Sequence, residues 1–148
     1  MLLKEFCAEN MERVPDAIDA GAKRIELCDN LACGGTSPSV GVVRAASRLC
    51  REHGVTLMAM VRPRGGDFAY SAGELRMMDD DIVSHACSGV DGVVFGCALD
   101  GRLDVDAMEH LLSTVRSCAG ASLEVTFHMA FDEISPDEQL VAIDWFAA

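Results

Sequence analysis

Strand-like and helix-like segments alternate five times along this chain of 148 residues. Short apolar runs rich in Val, Ile, Leu and Met predict the strands, which we place at residues 2–7, 24–28, 55–61, 91–97 and 122–128. Each connection is long enough to hold a crossover helix, so that consecutive strands can run in the same direction. The alternation therefore predicts an α/β fold with a parallel sheet.

Capping residues predict where the helices between these strands begin. Asn10 is placed to cap the first helix, and Ser37-Pro38 combines a cap with a proline at the first helical position of the second. Ser71 and Glu74 have the spacing of a capping box. The predicted helices cover residues 10–20, 38–53, 72–88, 104 to about 119, and 136 onwards.

Polar residues recur at every second position of the predicted strands. Parallel strands that are covered by helices on both faces are normally apolar throughout. The face of the predicted sheet that departs from this rule carries Leu3, Glu5, Cys7, Arg24, Glu26, Cys28, Met58, Met60, Arg62, Glu124, Thr126 and His128. An open sheet between two helix layers needs two apolar faces, whereas a barrel needs only an apolar exterior. The pattern therefore favours a barrel of the TIM type.

Charged residues inside a barrel are costly to bury unless they pair with one another. Three glutamates and three arginines are available for such pairing, namely Glu5, Glu26, Glu124, Arg24, Arg62 and Arg64. Two interpretations stay open. The charges form an internal salt-bridge network that only stabilises the fold, or they form a functional site.

A loop rich in arginine and glycine follows the third predicted strand, with the sequence VRPRGGDF at residues 61–68. Pro63 cannot continue a sheet ladder, and the two glycines let the backbone approach a ligand closely. Parallel α/β folds bind ligands at the carboxyl ends of their strands. We predict that Arg62 and Arg64 bind an anion and that Asp67 orients one of them. The alternative is a solvated surface loop.

His128 ends the fifth predicted strand, whereas the other three histidines fall in or beside helices. Imidazole serves as an acid or a base near neutral pH. We predict that Glu26 or His128 is a catalytic acid or base, and that Glu5 or Glu124 tunes its pKa and lines the ligand site. A histidine that is merely packed in the core is the alternative.

The composition argues against several kinds of partner and location. Asp and Glu number 24 against 12 Lys and Arg, a net charge of −12, whereas nucleic acid requires a basic surface. No apolar run approaches the roughly 18 residues of a membrane span, and the first residues do not resemble a signal peptide. The seven cysteines include no Cys-x-x-Cys pair, so we expect reduced thiols in the cytoplasm.

Five sequence blocks occur in an order known from one protein family. They are RIELC (24–28), GGTSPS (34–39), VRPRGGDF (61–68), DGVVFG (91–96) and EVTFH (124–128). Together they resemble the CutC copper-homeostasis family, and the resemblance covers essentially the whole chain. The third and fifth blocks are its most specific parts. The resemblance implies a TIM barrel, the same fold that the strand pattern favours.

The chain departs from that family in two respects. Met129 follows His128 where the family usually has arginine, so one cationic group of the pocket is missing. Only five βα units of the eight in a TIM barrel are visible, and a late glycine-rich loop that would finish the pocket is absent. We therefore expect residues 1–148 to form a single partial (β/α) barrel domain, the product of a truncated gene or a fragment.

The resemblance implies a role in copper homeostasis with copper ion binding. Cys7 and Cys28 end adjacent predicted strands with the same parity, so their sulfurs can share Cu(I), which prefers thiolates; two ordinary buried cysteines are the alternative. One alternative is an enzyme acting on a small metabolite that bears a phosphate or carboxylate, and another is an inactive truncated remnant. Whether the chain is an enzyme stays open. Open strand edges would also favour a homo-oligomer.

Overall fold

Five parallel strands form the main sheet in a computed structural model that describes residues 2–118 and 122–147. Their spatial order is the chain order, and they are β1 (Glu5–Glu9), β2 (Arg24–Cys28), β3 (Thr56–Met60), β4 (Gly92–Phe95) and β7 (Glu124–Phe127). The helices are α1 (Val14–Asp19), α2 (Val40–His53), α3 (Ala72–Cys87), α4 (Val105–Ser117) and α5 (Pro136–Ala147). The fold is therefore α/β with a parallel sheet, as predicted.

The strand limits differ from the prediction mainly at the first strand. β2 coincides with the predicted segment, but β1 starts and ends later than residues 2–7 because its five residues pair in register with the five of β2. Cys7 is consequently the middle residue of β1 and not its last. A short antiparallel hairpin, β5 (Ala98–Leu99) and β6 (Arg102–Leu103), was not predicted.

Two predicted caps are wrong and others are confirmed. α1 begins at Val14, and Asn10 lies in a turn with a φ of 59°. Ser39 caps α2, because the Ser37 hydroxyl is used elsewhere and accepts a hydrogen bond from the backbone N–H of Arg62 at 2.9 Å. The capping box at the start of α3 is confirmed. The predicted end of α4 near residues 119–120 lies outside the described residues.

The two faces of the sheet have the characters that the sequence pattern predicted. The helix-facing side forms the large core, in which Ile25, Leu27, Leu57, Val93 and Phe95 are fully buried. The concave side holds the polar positions and a small buried cluster of Cys28, Met58, Met60 and Val94. Side chains on that concave side are therefore the candidates for chemistry.

The sheet is curved like a sector of a barrel. Arg24 on β2 approaches Glu124 on β7, with 4.0 Å between Nη1 and Oε2, although β3 and β4 lie between those strands. β1 and β7 are the two edges of the sheet that the described residues form. Within residues 2–118 and 122–147, none of the helices has the length and apolar character needed to cross a membrane.

Candidate functional site

Two cysteines and a glutamate meet on the concave face, at β1 and β2. The Sγ atoms of Cys7 and Cys28 are 3.9 Å apart, and Glu26 Oε1 lies 3.8 Å from each of them. The register places Cys7 directly opposite Glu26, and the alternation of the strand turns Cys28 to the same face. Cys7 is exposed, Glu26 is half-buried and Cys28 is buried. These three atoms form a compact, accessible set of donors that could hold a metal ion.

The protonation of these groups is coupled through their contacts. A hydrogen bond with the Cys28 thiol lowers the pKa of Cys7, although burial and the nearby Glu26 act in the other direction. The same hydrogen bond raises the pKa of Cys28, and burial adds to the increase. Burial, followed by the charge of Glu5, raises the pKa of Glu26. Cys7 is therefore the first thiol of the pair to ionise, with the remaining proton on Cys28.

Glu5 and Glu124 lie at the amino ends of their strands. Glu5 forms an ion pair with Arg24, and Glu124 is the more distant partner of the same guanidinium. TIM barrels use the opposite, carboxyl end of the strands for chemistry, whereas the amino end contributes stability. The structure does not bring these two glutamates together with Arg62 and His128, and their ligand-binding role stays a prediction.

Arg62 is buried and binds the backbone of two loops. Its Nη1 donates to the carbonyl oxygens of Cys33 at 3.0 Å and Gly35 at 2.9 Å, and its Nη2 donates to that of Gly66 at 2.7 Å. The Phe68 ring lies 4.6 Å from Cζ, a cation–π distance. Arg62 therefore ties the loop after β2 to the loop after β3, and most of its donors are already used.

His128 lies just after β7, and its ring packs at an angle of 56° against the ring of the same phenylalanine. Its ring centroid is 5.0 Å from that of Phe68, and Nδ1 accepts a hydrogen bond from the N–H of Ala130 at 3.2 Å. The proton of the neutral ring is therefore on Nε2, which is buried without a hydrogen-bond partner among the described residues. Burial, and secondarily the charge of Arg62, lowers the pKa of His128 to about 4. The side chain is neutral at physiological pH.

Arg64 is directed away from this group. It forms ion pairs with Glu74 at the start of α3 and with Asp67, the latter at 3.0 Å. Its remaining N–H groups donate to loop carbonyls, including that of Ala69 at 2.9 Å. Of the predicted site residues, Arg62 and His128 therefore meet at Phe68, whereas Glu26 contacts the thiols and Arg64 pairs with Glu74.

Sequence reasoning missed three features of the site. Phe68 lies between Arg62 and His128, and its place as the last residue of the arginine-rich block was the available signal. Gly35 covers Cys28: a Cβ there would lie 3.4 Å from the Cys28 Sγ. His85 lies in a helix, as the sequence predicts, but its ring is buried with Nε2 3.2 Å from the carbonyl oxygen of Met60, a contact that the helix prediction does not reveal.

The fold and the site together define a class of protein. It is a TIM-type (β/α) barrel, represented here by five strands, with a thiol pair and a carboxylate on its interior face. The sequence model of the CutC family matches residues 2–146, so the chain belongs to the CutC family.

Relatives and a solved structure agree with this assignment. The chain is 48% identical over 147 residues to a CutC family protein of Enterococcus faecalis, covering 99% of this chain and 68% of that protein. It is 40% identical over 133 residues to the human protein named copper homeostasis protein cutC homolog, covering 89% of this chain and 46% of that one. The crystal structure of CutC from Streptococcus agalactiae superposes with a TM-score of 0.90 at 41% identity, covering 97% of this chain and 67% of that one. The chain thus spans about half to two thirds of these proteins.

Proposed function

We propose that this chain binds Cu(I) through Cys7 and Cys28 and serves copper homeostasis in the cytoplasm. The observation that carries the proposal is the distance of 3.9 Å between the two sulfurs on the concave face of the sheet. Cu(I) is a soft ion that prefers thiolates, and an exposed thiol beside a buried one gives it a way in. The names of the relatives support the same role. A reducing compartment keeps all seven cysteines as free thiols.

The strand register favours a shared metal ion over a disulfide between these cysteines. Cys7 pairs with Glu26, so Cys28 lies two residues further along β2. Neighbouring strands are ~4.8 Å apart and two residues advance by ~6.6 Å, which separates the two Cα atoms by ~8 Å. A disulfide needs Cα atoms less than ~7 Å apart. The sulfurs can therefore hold an ion between them without the backbone shift that a disulfide requires.

Copper binding is tested by an anaerobic titration of the reduced full chain with Cu(I) against the chelator bicinchoninate. We expect one Cu(I) per chain, and Cys28→Ser to weaken binding by at least ~100-fold because it removes a direct ligand. The control, Cys118→Ser, changes a half-buried cysteine at the end of α4 and should leave the affinity unchanged. Equal affinities for the two variants would rule out the thiol site.

A second candidate is an enzyme acting on a small phosphate- or carboxylate-bearing metabolite. It is favoured by two buried N–H groups without partners among the described residues, Arg62 Nε and His128 Nε2, on either side of Phe68. Few N–H groups of Arg62 remain for such a ligand, because the others already donate to three backbone carbonyls. A thermal-shift series with inorganic phosphate and simple carboxylates tests this candidate, and Arg44→Gln, which changes an exposed arginine on α2, serves as the control for non-specific charge effects.

A further inference from the structure

Two thioethers lie on the concave face next to the thiol pair. Met58 and Met60 on β3 are fully buried and pack with Cys28. The register pairs Glu26 with Met58 and Leu27 with Ala59, so the next step along both strands brings Cys28 beside Met60. Residues side by side on one face of neighbouring strands are ~4.8 Å apart. Met60 is therefore the methionine adjacent to Cys28 in the sheet.

The two thioethers point in different directions. The end of Met58 lies over Gly92 on β4, where a Cβ would be 2.7 Å from Sδ and 2.4 Å from Cε. The end of Met60 lies instead at Gly35, where a Cβ would be 3.6 Å from Cε and 3.4 Å from the Cys28 Sγ. The missing side chain of Gly35 thus leaves one small space that the tip of Met60 and the Cys28 sulfur share.

We propose that Met60 supplies the third sulfur ligand of the Cu(I) site, an inference that rests on the proposed function above. A thioether is a soft ligand of the kind that Cu(I) selects, whereas the carboxylate of Glu26 is a hard one. Methionine has three rotatable side-chain bonds, so Sδ can turn towards the ion without a change in the backbone. Glu26 then lies beside the two thiolates and is not a ligand; it accepts hydrogen bonds from the thiols only in the metal-free protein.

A thioether ligand also predicts selectivity between metals. Zn(II) is bound in proteins by thiolate, imidazole and carboxylate, so Cys7, Cys28 and Glu26 can hold it without Met60. Met60→Leu keeps the volume of the side chain, a swap that cores tolerate well. We expect it to weaken Cu(I) binding on the order of tenfold and to leave Zn(II) binding unchanged. Equal losses for both metals would overturn the assignment.

The direct test is selenium X-ray absorption on the full chain labelled with selenomethionine and loaded with Cu(I). We expect a copper–selenium scattering path that is present in the wild type and in Met58→Leu, and absent in Met60→Leu. A thermal melt checks that each variant folds. If Cu(I) binds but no such path appears, or if the path survives in Met60→Leu, Met60 is not a ligand although the thiol site stands. If no Cu(I) binds at all, the proposed function itself fails.

Discussion

Arg62 holds two loops together, because its one planar guanidinium donates to the carbonyl oxygens of Cys33, Gly35 and Gly66. Each of these oxygens belongs to a loop that follows a strand, and Gly35 in turn covers Cys28. A lysine has the same charge but a single ammonium that cannot reach three acceptors in one plane. The shape of the guanidinium, more than its charge, is therefore what the loops require.

Arg62→Lys should lower the free energy of unfolding by about 1–3 kcal/mol, since it leaves buried carbonyl groups without donors. Urea unfolding followed by circular dichroism measures the change. The control is Arg64→Lys, which alters a more exposed arginine with ion-pair partners and should cost less than ~0.5 kcal/mol. A similar loss of unfolding free energy in the two variants would contradict this role of Arg62.

His128 makes the stability of the chain dependent on pH. Burial and Arg62 lower its pKa to about 4 in the folded protein, from the ordinary histidine value of 6.5. Between these values the unfolded chain takes up a proton that the folded chain does not, so stability falls as the pH drops from 6.5 towards 4. Burial lowers the pKa of His85 as well, which acts in the same direction.

His128→Gln should therefore reduce the loss of stability on acidification. Between pH 6.5 and pH 4, the free energy of unfolding of the wild type should fall by on the order of 3 kcal/mol more than that of the variant. Urea unfolding at a series of pH values measures both. Carboxylates titrate in the same range in both proteins and cancel in this comparison. An identical pH dependence in the two proteins would show that the buried imidazole is not responsible.

At the scale of elements, the start of α3 is bonded through Glu74 to Arg64 in the loop at residues 61–68. The Ser71 hydroxyl accepts from the backbone N–H of Glu74, and the Glu74 carboxylate accepts from the N–H of Ser71 and from Arg64. The hydrogen bond from Ser71, followed by that from Arg64, lowers the pKa of Glu74 to about 2. The stabilisation is present at neutral pH and is lost as the pH falls below the usual range of a glutamate.

Ser71→Ala should destabilise the chain by about 1 kcal/mol because it removes the cap. Thermal unfolding at neutral pH measures this change. Ser71→Asp is the matched control, since an aspartate oxygen accepts the same hydrogen bond and should retain most of the stability. If the aspartate variant loses as much as the alanine variant, the cap is not the source of the effect.

At the scale of the whole molecule, β1 and β7 are the edges of the sheet within residues 2–118 and 122–147, and α5 presents an apolar face. Leu140, Val141 and Ile143 on α5 are 70, 60 and 49% exposed. Exposed apolar surface and unpaired strand edges both favour association. The net charge of −12 opposes it, because like charges repel over the ~10 Å screening length of ~0.1 M salt.

Association of this chain should therefore increase with salt concentration. Size-exclusion chromatography with light scattering at ~0.1 M and ~1 M salt measures the mass, since the screening length shortens to ~3 Å at the higher value. Leu140→Lys with Ile143→Lys should suppress the association, whereas Met77→Lys on α3 is the control. A monomer under all conditions would contradict the prediction.

The sequence by itself determined the order of the elements, the parallel sheet and the face that carries the candidate site. Alternation along β2 was enough to put Glu26 and Cys28 on the polar face, and parity with β1 added Cys7. Such properties depend on residues that are neighbours in the chain, where the strand period of two and the capping rules act directly.

Only the tertiary structure decided which polar groups meet. The directions of Arg62 and Arg64 depend on loops that are distant in the sequence, and one arginine braces Gly35 while the other pairs with Glu74. The ends of Met58 and Met60 lie at different places because two glycines, at positions 92 and 35, leave space for them there. Side-chain direction follows from the space and the acceptors that folding brings together, and no pattern of nearby residues encodes these.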